Sequence, residues 1–380
     1  MRLVAVSWRE LANPSAGGAE VLLDQLLNRL AQRGHHVALV CGGPSKPRPY
    51  RVIDAGGTYS HYLWAPLICM IRYRRADLLI DVENGVPYFS PLWRRRPSVC
   101  LVHHVHSDQW RTRFPRPVAA VMRVVESRAM PFIYRNRTFV AISTSTAKAL
   151  EEIGVDPARI HVIEPGIDSA PQIDGSKSDE PLFVSLCRVV PHKRVDLLLE
   201  AWKAVSRDIP GRLLIAGDGP ELERIRDMAS RIPRVEVLGR ITEEEKWNLL
   251  HQSWAHVSAS HHEGWGLTTL EAAVVGTPTL ALDAPGVRDA IVADVTGVLV
   301  EASDENAAPA LARAWIDLAQ NAERRQQLGR AAQERTIEFG WDPMVDRWLK
   351  LIVEVVAEPR GSGRKSHRSV SSEVVSDGSA

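Results

Sequence analysis

A chain of 380 residues with 45% hydrophobic and 24% charged residues is long enough for two globular cores and excludes a disordered or fibrous protein. Its 47 basic and 46 acidic side chains leave a net charge of +1, and no nucleic-acid partner is expected from that balance. The four cysteines, Cys41, Cys69, Cys100 and Cys187, have neither zinc-ligand nor redox-motif spacing, so reduced thiols and a cytoplasmic setting are expected.

The N-terminus, Met1-Arg-Leu-Val-Ala-Val-Ser-Trp8, turns polar too early for a signal peptide and reads as a buried strand over Leu3 to Val6. A helical pattern from about Ala19 to Arg33 and a second apolar run, Val37 to Val40, complete a βαβ unit. The run Trp64 to Ile71 falls far short of the roughly 20 apolar residues that cross a bilayer. Short apolar segments follow at Leu78 to Asp81, Ser98 to Val102 and Phe139 to Ile142, each suited to a strand buried on both faces of a parallel sheet.

The expected first domain is 1–167, and the polar, turn-rich stretch 168–181 reads as a linker. Alternation restarts with strands at Leu182 to Leu186, Arg212 to Ala216, Val235 to Leu238, Ala255 to Ser258 and Thr279 to Leu282, giving a second domain over 182–338. A terminal helix over 339–358 places Met344, Trp348, Leu351 and Ile352 on one face, expected to pack back on the first domain. Residues 359–380 lack large apolar side chains and are expected to be disordered. The fold class is therefore α/β, with two Rossmann-like, doubly wound domains facing a central cleft.

The small net charge hides an asymmetry. Residues 1–170 carry 22 Lys and Arg against 14 Asp and Glu, whereas the rest carries 25 against 32. Arg72, Arg74, Arg75, Arg94 to Arg96 and the arginines at 111, 113, 116, 123, 128, 135 and 137 supply most of the excess. A solvated basic face and a surface for an anionic membrane or a phosphorylated acceptor both remain open.

The most informative segment is His261-His-Glu263-Gly-Trp-Gly266-Leu-Thr-Thr-Leu-Glu271, which follows a strand and opens a helix. Glycines there let backbone N–H groups approach a phosphate at a helix N-terminus, where the macrodipole also favours negative charge. Glu271, a turn and a half into the helix, can reach a diol such as a ribose. Ser185-Leu-Cys-Arg188-Val-Val-Pro-His-Lys193-Arg194 supplies two cations that can converge on a diphosphate. In the first half, Asn13-Pro-Ser-Ala-Gly17-Gly18-Ala-Glu20 permits close backbone approach, and His103-His104-Val-His106 follows a strand end where crevice ligands sit. A metal on those histidines has no Cys or carboxylate at ligand spacing to support it.

The acidic segment resembles the Glu-x7-Glu motif of family 4 retaining glycosyltransferases, whose fold is GT-B. That resemblance implies that Glu271 holds the nucleotide ribose, that Glu263 contacts donor sugar hydroxyls, and that Gly266, Leu267 and Thr268 lie against the diphosphate. Arg188 and Lys193 are similar to the family's pyrophosphate-binding pair, although Cys187 and Arg194 stand where its pattern has glycine. Gly17 and Gly18 resemble its glycine-rich first loop, which closes over the donor phosphates, and His106 matches its sugar-binding histidine, with His104 or His103 as substitutes. Arg240, in Gly239-Arg240-Ile-Thr, would border the nucleobase, whereas Gly217-Asp-Gly219-Pro reads as a structural turn. Glu83 and Asn84, after another strand, would line the acceptor pocket.

The expected activity is retaining transfer of a hexosyl group from a nucleotide-diphosphate sugar to a lipid, glycan or small-molecule acceptor, in the cytoplasm, with peripheral attachment to the inner face of the membrane left open, and without a metal or other cofactor. Catalytic roles fall to His106, Glu263, Arg188 and Lys193. No Asp-x-Asp triplet, the usual metal-nucleotide signature, occurs in the chain. The alternatives are a nucleotide-sugar epimerase or phosphorylase on the same fold and a non-catalytic nucleotide-sugar binder.

Overall fold

The computed structural model describes residues 1–358 apart from 15, 58, 107–109, 111–113 and 174. The expected disordered tail and the arginines at 111 and 113 thus lie outside the described residues.

The first half builds a seven-stranded parallel sheet from β1 (Arg2–Ser7), β2 (His36–Cys41), β3 (Arg51–Asp54), β4 (Leu78–Glu83), β5 (Ser98–Val102), β6 (Thr138–Ala141) and β7 (Ile160–Val162), in the order β3-β2-β1-β4-β5-β6-β7. The second half builds a six-stranded parallel sheet from β8 (Leu182–Leu186), β9 (Arg212–Ala216), β10 (Val235–Gly239), β11 (Ala255–Ser258), β12 (Thr279–Leu282) and β13 (Gly297–Val300), in the order β10-β9-β8-β11-β12-β13. Central strands are mostly apolar because helices cover both faces; β4, which includes Asp81 and Glu83, and β8 are buried at every position. The winding reverses between β1 and β4 in one sheet and between β8 and β11 in the other. Crevice ligands of such sheets bind outside the carboxyl ends of the strands at these reversals. Glu83 ends β4, and the loops after β1, β8 and β11 contain Gly17, Lys193 and Glu263 respectively, so topology alone gathers those motifs at the switch points.

Three edge strands go beyond the expected elements. β3 and β7 are half-exposed and short, and β13 opens with glycine, so none has a continuous apolar run to announce it. The segment His61–Arg72 folds as a helix around Pro66. The last helix, Trp341–Ala357, buries Met344, Val345, Trp348, Leu351 and Ile352 in one cluster with Leu22, Leu26 and Leu30 of the helix Gly18–Gln32. Arg33 lies 3.0 Å from Asp342 and also pairs with Asp346, which fixes the angle of that contact. The two chain crossings between the halves run side by side, with the Ile167 N–H donating to the Phe339 carbonyl at 2.6 Å.

Candidate functional site

The loop after β11 is shaped by its neighbours. Gly266 takes φ 80°, a left-handed conformation that glycine adopts without a Cβ penalty, and the helix Leu267–Val274 starts from it. A Cβ on Gly286 would lie 2.2 Å from the Glu263 carbonyl, so the loop after β12 grips the Glu263 backbone from behind. The Glu263 side chain, 16% exposed, accepts hydrogen bonds from the Lys193 ammonium and from Ser260 Oγ at 2.8 Å. Burial opposes its charge, but Lys193 and these hydrogen bonds outweigh burial and hold the carboxyl below its usual value.

Lys193 comes from the loop after β8. A Cβ on Gly217, at φ 139°, would sit 1.8 Å from the Cys187 carbonyl, and one on Gly219 would sit 2.3 Å from that of Val189. The two glycines therefore let the loop carrying Arg188 pass close beneath the turn after β9. Arg194 adopts the left-handed conformation itself, at φ 49°, and pairs with Asp304 at 2.8 Å, so the departure from glycine leaves the turn in place at a cost of about 1–2 kcal/mol. Burial pushes the Cys187 thiol up to about 11, which makes it a packing residue.

Glu271 lies on the same helix as Leu267 and receives Lys246 Nζ at 2.7 Å. Burial raises this carboxyl and Lys246 partly offsets the rise. Lys246 escaped sequence reasoning because it stands on a separate helix, Glu243–Gln252, among glutamates that look like a solvated face. Arg240 stands apart from the group: it is 72% exposed after the edge strand β10, and Asp218 is 3.5 Å away.

The first half meets these groups across the cleft. The Gly17 N–H donates to Glu20 Oε2 at 2.7 Å, and Glu20 Oε1 accepts from Arg9 at 2.7 Å and from the Trp8 indole at 3.2 Å. Buried Glu20 thus anchors the glycine loop, a role concealed by its place one turn into a helix. A Cβ on Gly17 would lie 3.8 Å from the Arg188 side chain, and one on Gly18 would lie 2.8 Å from Leu267 Cδ1. Gly264 in turn leaves no more than 2.9 Å for a Cβ beside the His103 carbonyl. The His104 and His262 rings are 5.5 Å apart, and the Ser145 N–H donates to Asp289 at 3.0 Å. Thr268 is half-buried beside Leu267. Gly17, Gly18, Arg188, Lys193, Glu263, Gly266, Leu267 and the histidine loop accordingly line one cleft.

Burial draws His103 down to about 4, so its ring is neutral. His106 is also buried; its N–H donates to Glu126 Oε1 at 2.6 Å, and its Nδ1 is 3.3 Å from the same oxygen. The Trp110 indole donates to Glu126 Oε2 at 2.9 Å and stacks on the His106 ring with centroids 4.9 Å apart. Glu126 reaches inward from a five-residue π-helical stretch, Val125–Ala129, a local widening common at functional sites.

Glu83 departs from its expected place. It is 1% exposed, accepts from the Gly85 N–H, and lies behind His106 rather than on an open acceptor wall. Burial, reinforced by Glu126, pushes its carboxyl well above the usual range. Asn84 beside it is half-buried. The carboxylates absent from the sequence spacing are thus supplied by the fold: potential ligand atoms of Glu83, His106 and Glu126 lie within 4.8 Å of one another.

The description "Glycosyltransferase Family 4" matches residues 16–170, and "Glycosyl transferases group 1" matches residues 167–335. A glycogen synthase of Mycobacterium tuberculosis is 30% identical, with 90% of this chain and 92% of the relative covered. The chain belongs to the family 4 glycosyltransferases. A D-inositol 3-phosphate glycosyltransferase of Geodermatophilus obscurus is 27% identical over 92% of this glycosyltransferase and 88% of the relative. Among solved structures, Anabaena HepE in complex with UDP and glucose superposes with a TM-score of 0.74 at 16% identity, covering 93% of this chain and 100% of that one. Sucrose-phosphate synthase from Thermosynechococcus elongatus gives 0.74 at 20% identity, covering 94% and 99%. These likenesses establish the GT-B fold of the glycosyltransferase, two parallel-sheet α/β domains.

Proposed function

We propose that this glycosyltransferase moves a hexose from a nucleotide-diphosphate sugar to its acceptor with retention of configuration and without a metal ion. The observation that carries the reading is the meeting of the Gly17–Gly18 loop with Arg188 and with Leu267 at a helix N-terminus, beside the loop that also carries Lys193. There a diphosphate is neutralised by fixed groups: the backbone N–H groups from Gly266 to Thr268, the Arg188 fork and the Lys193 ammonium. Glu271 takes the ribose hydroxyls, and Glu263 takes the sugar hydroxyls as Lys193 turns to the phosphate. His106, held by Glu126, hydrogen-bonds the sugar from the other side. The acceptor attacks on the face the diphosphate leaves, and the leaving phosphate oxygen accepts the acceptor's proton. HepE, solved with UDP-glucose, supports a uridine donor as the first to try.

The test is release of nucleoside diphosphate from a panel of UDP-, GDP- and ADP-sugars, with and without candidate acceptors, in the presence of a chelator. Acceptor-dependent release, with an α-linked product from an α-linked donor by NMR, is expected. Turnover of donor to an epimer without acceptor, or binding without turnover, would overturn the reading.

A further inference from the structure

Several large apolar side chains of the first domain face outward together. On the helix His61–Arg72, Leu63 and Ile71 are 70% and 68% exposed, and Trp64, Leu67 and Met70 are exposed beside them. Along the helix Arg116–Val124 and the turns that follow, Val118, Val121, Val124 and Phe132 are exposed, the last at 67%. The two helical segments cover the same face of the sheet, and the loop between β4 and β5 joins them. Tyr62 stacks on Tyr88 at 4.9 Å, and Phe89 packs 6.5 Å from Tyr134.

The charges between these apolar groups have one sign. Arg72, Arg74, Arg75, Arg95, Arg116, Arg123, Arg128 and Arg135 are all exposed. Of the acidic residues described between 55 and 150, Asp81, Glu83 and Glu126 are buried, and only Asp77 reaches the surface. Arg94 and Arg137 do not belong to this face: Arg94 is buried and donates to the carbonyls of Pro97, Tyr73 and Ala76, and Arg137 donates to the Arg94 carbonyl. Monomer surfaces rarely expose apolar groups so densely, and a water-facing arginine cluster repels itself without anions. Apolar side chains among arginines, on helices too short to span, match the interfacial region of an anionic bilayer.

We propose that the helices His61–Arg72 and Arg116–Val124 form a docking surface for an anionic lipid bilayer, with Leu63, Trp64, Leu67, Ile71, Val121 and Phe132 entering the headgroup layer. The surface and His106 lie on opposite sides of one helical segment, since Glu126 points inward to His106 while Val121 and Val124 point outward. Docking would therefore bring the cleft within reach of an acceptor held in the membrane. The inference stands on the exposed surface and is independent of the chemistry proposed for the cleft.

Co-flotation of the full chain with vesicles tests it. Binding is expected to phosphatidylcholine vesicles containing about 30 mol% phosphatidylglycerol, and it should weaken at least tenfold at high salt. The surface variant Leu63→Ser, Trp64→Ser, Leu67→Ser, Ile71→Ser should lose at least tenfold in binding while its thermal midpoint and donor hydrolysis in solution stay as in the parent. Absence of flotation at low salt, equal flotation with pure phosphatidylcholine, or undiminished flotation of the variant through its intact tail would each overturn the proposal. A protein partner for this face would show as the first of these outcomes.

Discussion

Replacing Lys193 with alanine leaves Glu263 largely buried with Ser260 as its remaining side-chain donor. Breaking a buried pair by removing one partner typically costs about 3–5 kcal/mol. The carboxyl can instead take up a proton: from an ordinary pKa of about 4.3, that costs about 3.7 kcal/mol at pH 7 and about 1 kcal/mol at pH 5, at about 1.36 kcal/mol per unit. The smaller figure limits the loss, so the stability gap between parent and variant should shrink from about 4 to about 1 kcal/mol between those pH values. The signs agree with this. In the parent, Lys193 holds Glu263 below its unfolded value, so the stabilisation is complete above that value and is lost as pH falls through the folded one. In the variant the carboxyl is pushed above its unfolded value, and stability is regained as pH falls. Urea unfolding of both proteins from pH 5 to pH 8 measures the gap. The double variant Lys193→Ala, Glu263→Gln should recover most of the stability at pH 7 yet stay inactive. A gap that ignores pH, or a double variant no more stable than the single one, would refute the argument.

Glu271→Ala should weaken donor binding by about 10- to 100-fold, the worth of charge-assisted hydrogen bonds, as read from thermal stabilisation by UDP-sugar; unchanged stabilisation would remove Glu271 from the nucleotide site. Glu126→Gln sets an amide N–H₂ against either the His106 N–H or the Trp110 indole. Donor hydrolysis should fall about tenfold or more through kcat, with KM little changed, and activity equal to the parent would show that His106 needs no such support. Gly18→Val adds branches where even a Cβ is 2.8 Å from Leu267 Cδ1, so donor KM should rise several-fold with little change in thermal midpoint. A lower midpoint at unchanged KM would mean that the contact is packing within a fixed structure rather than part of closure.

The central strands and the glycine loops were legible because their causes are local. β1, β4 and β8 each carry a short apolar run, β11 is buried at its first three positions, and the motifs lie at or just after the ends of these strands. What stayed hidden depends on partners distant in sequence. Glu126 reads as one glutamate on a basic, amphipathic helix until the π-helical stretch turns it toward His106. Lys246 needs Glu271, 25 residues away, to become more than one charge among Glu243, Glu244 and Glu245. The place of Glu83 is not legible because a strand end suggests an open pocket, whereas the side chain is buried and accepts from the N–H of Gly85, which takes φ 107°.

The ion pairs of the cleft suggest how it could respond to a donor. Lys193 is occupied by Glu263 and Lys246 by Glu271, whereas among the described residues Arg188 is exposed and has no carboxylate within 4.0 Å. An arriving diphosphate would therefore meet Arg188 and the helix N-terminus first. Lys193 can join them only when another donor satisfies Glu263, because an unpaired buried carboxylate costs more than one phosphate contact returns. Sugar hydroxyls are such donors. In the proposed pose the sugar would thus release the second cation onto the phosphate that is about to leave, so the full positive charge would assemble only around a complete donor. One ion pair, Lys193 with Glu263, would in this way link recognition of the sugar to stabilisation of the leaving group.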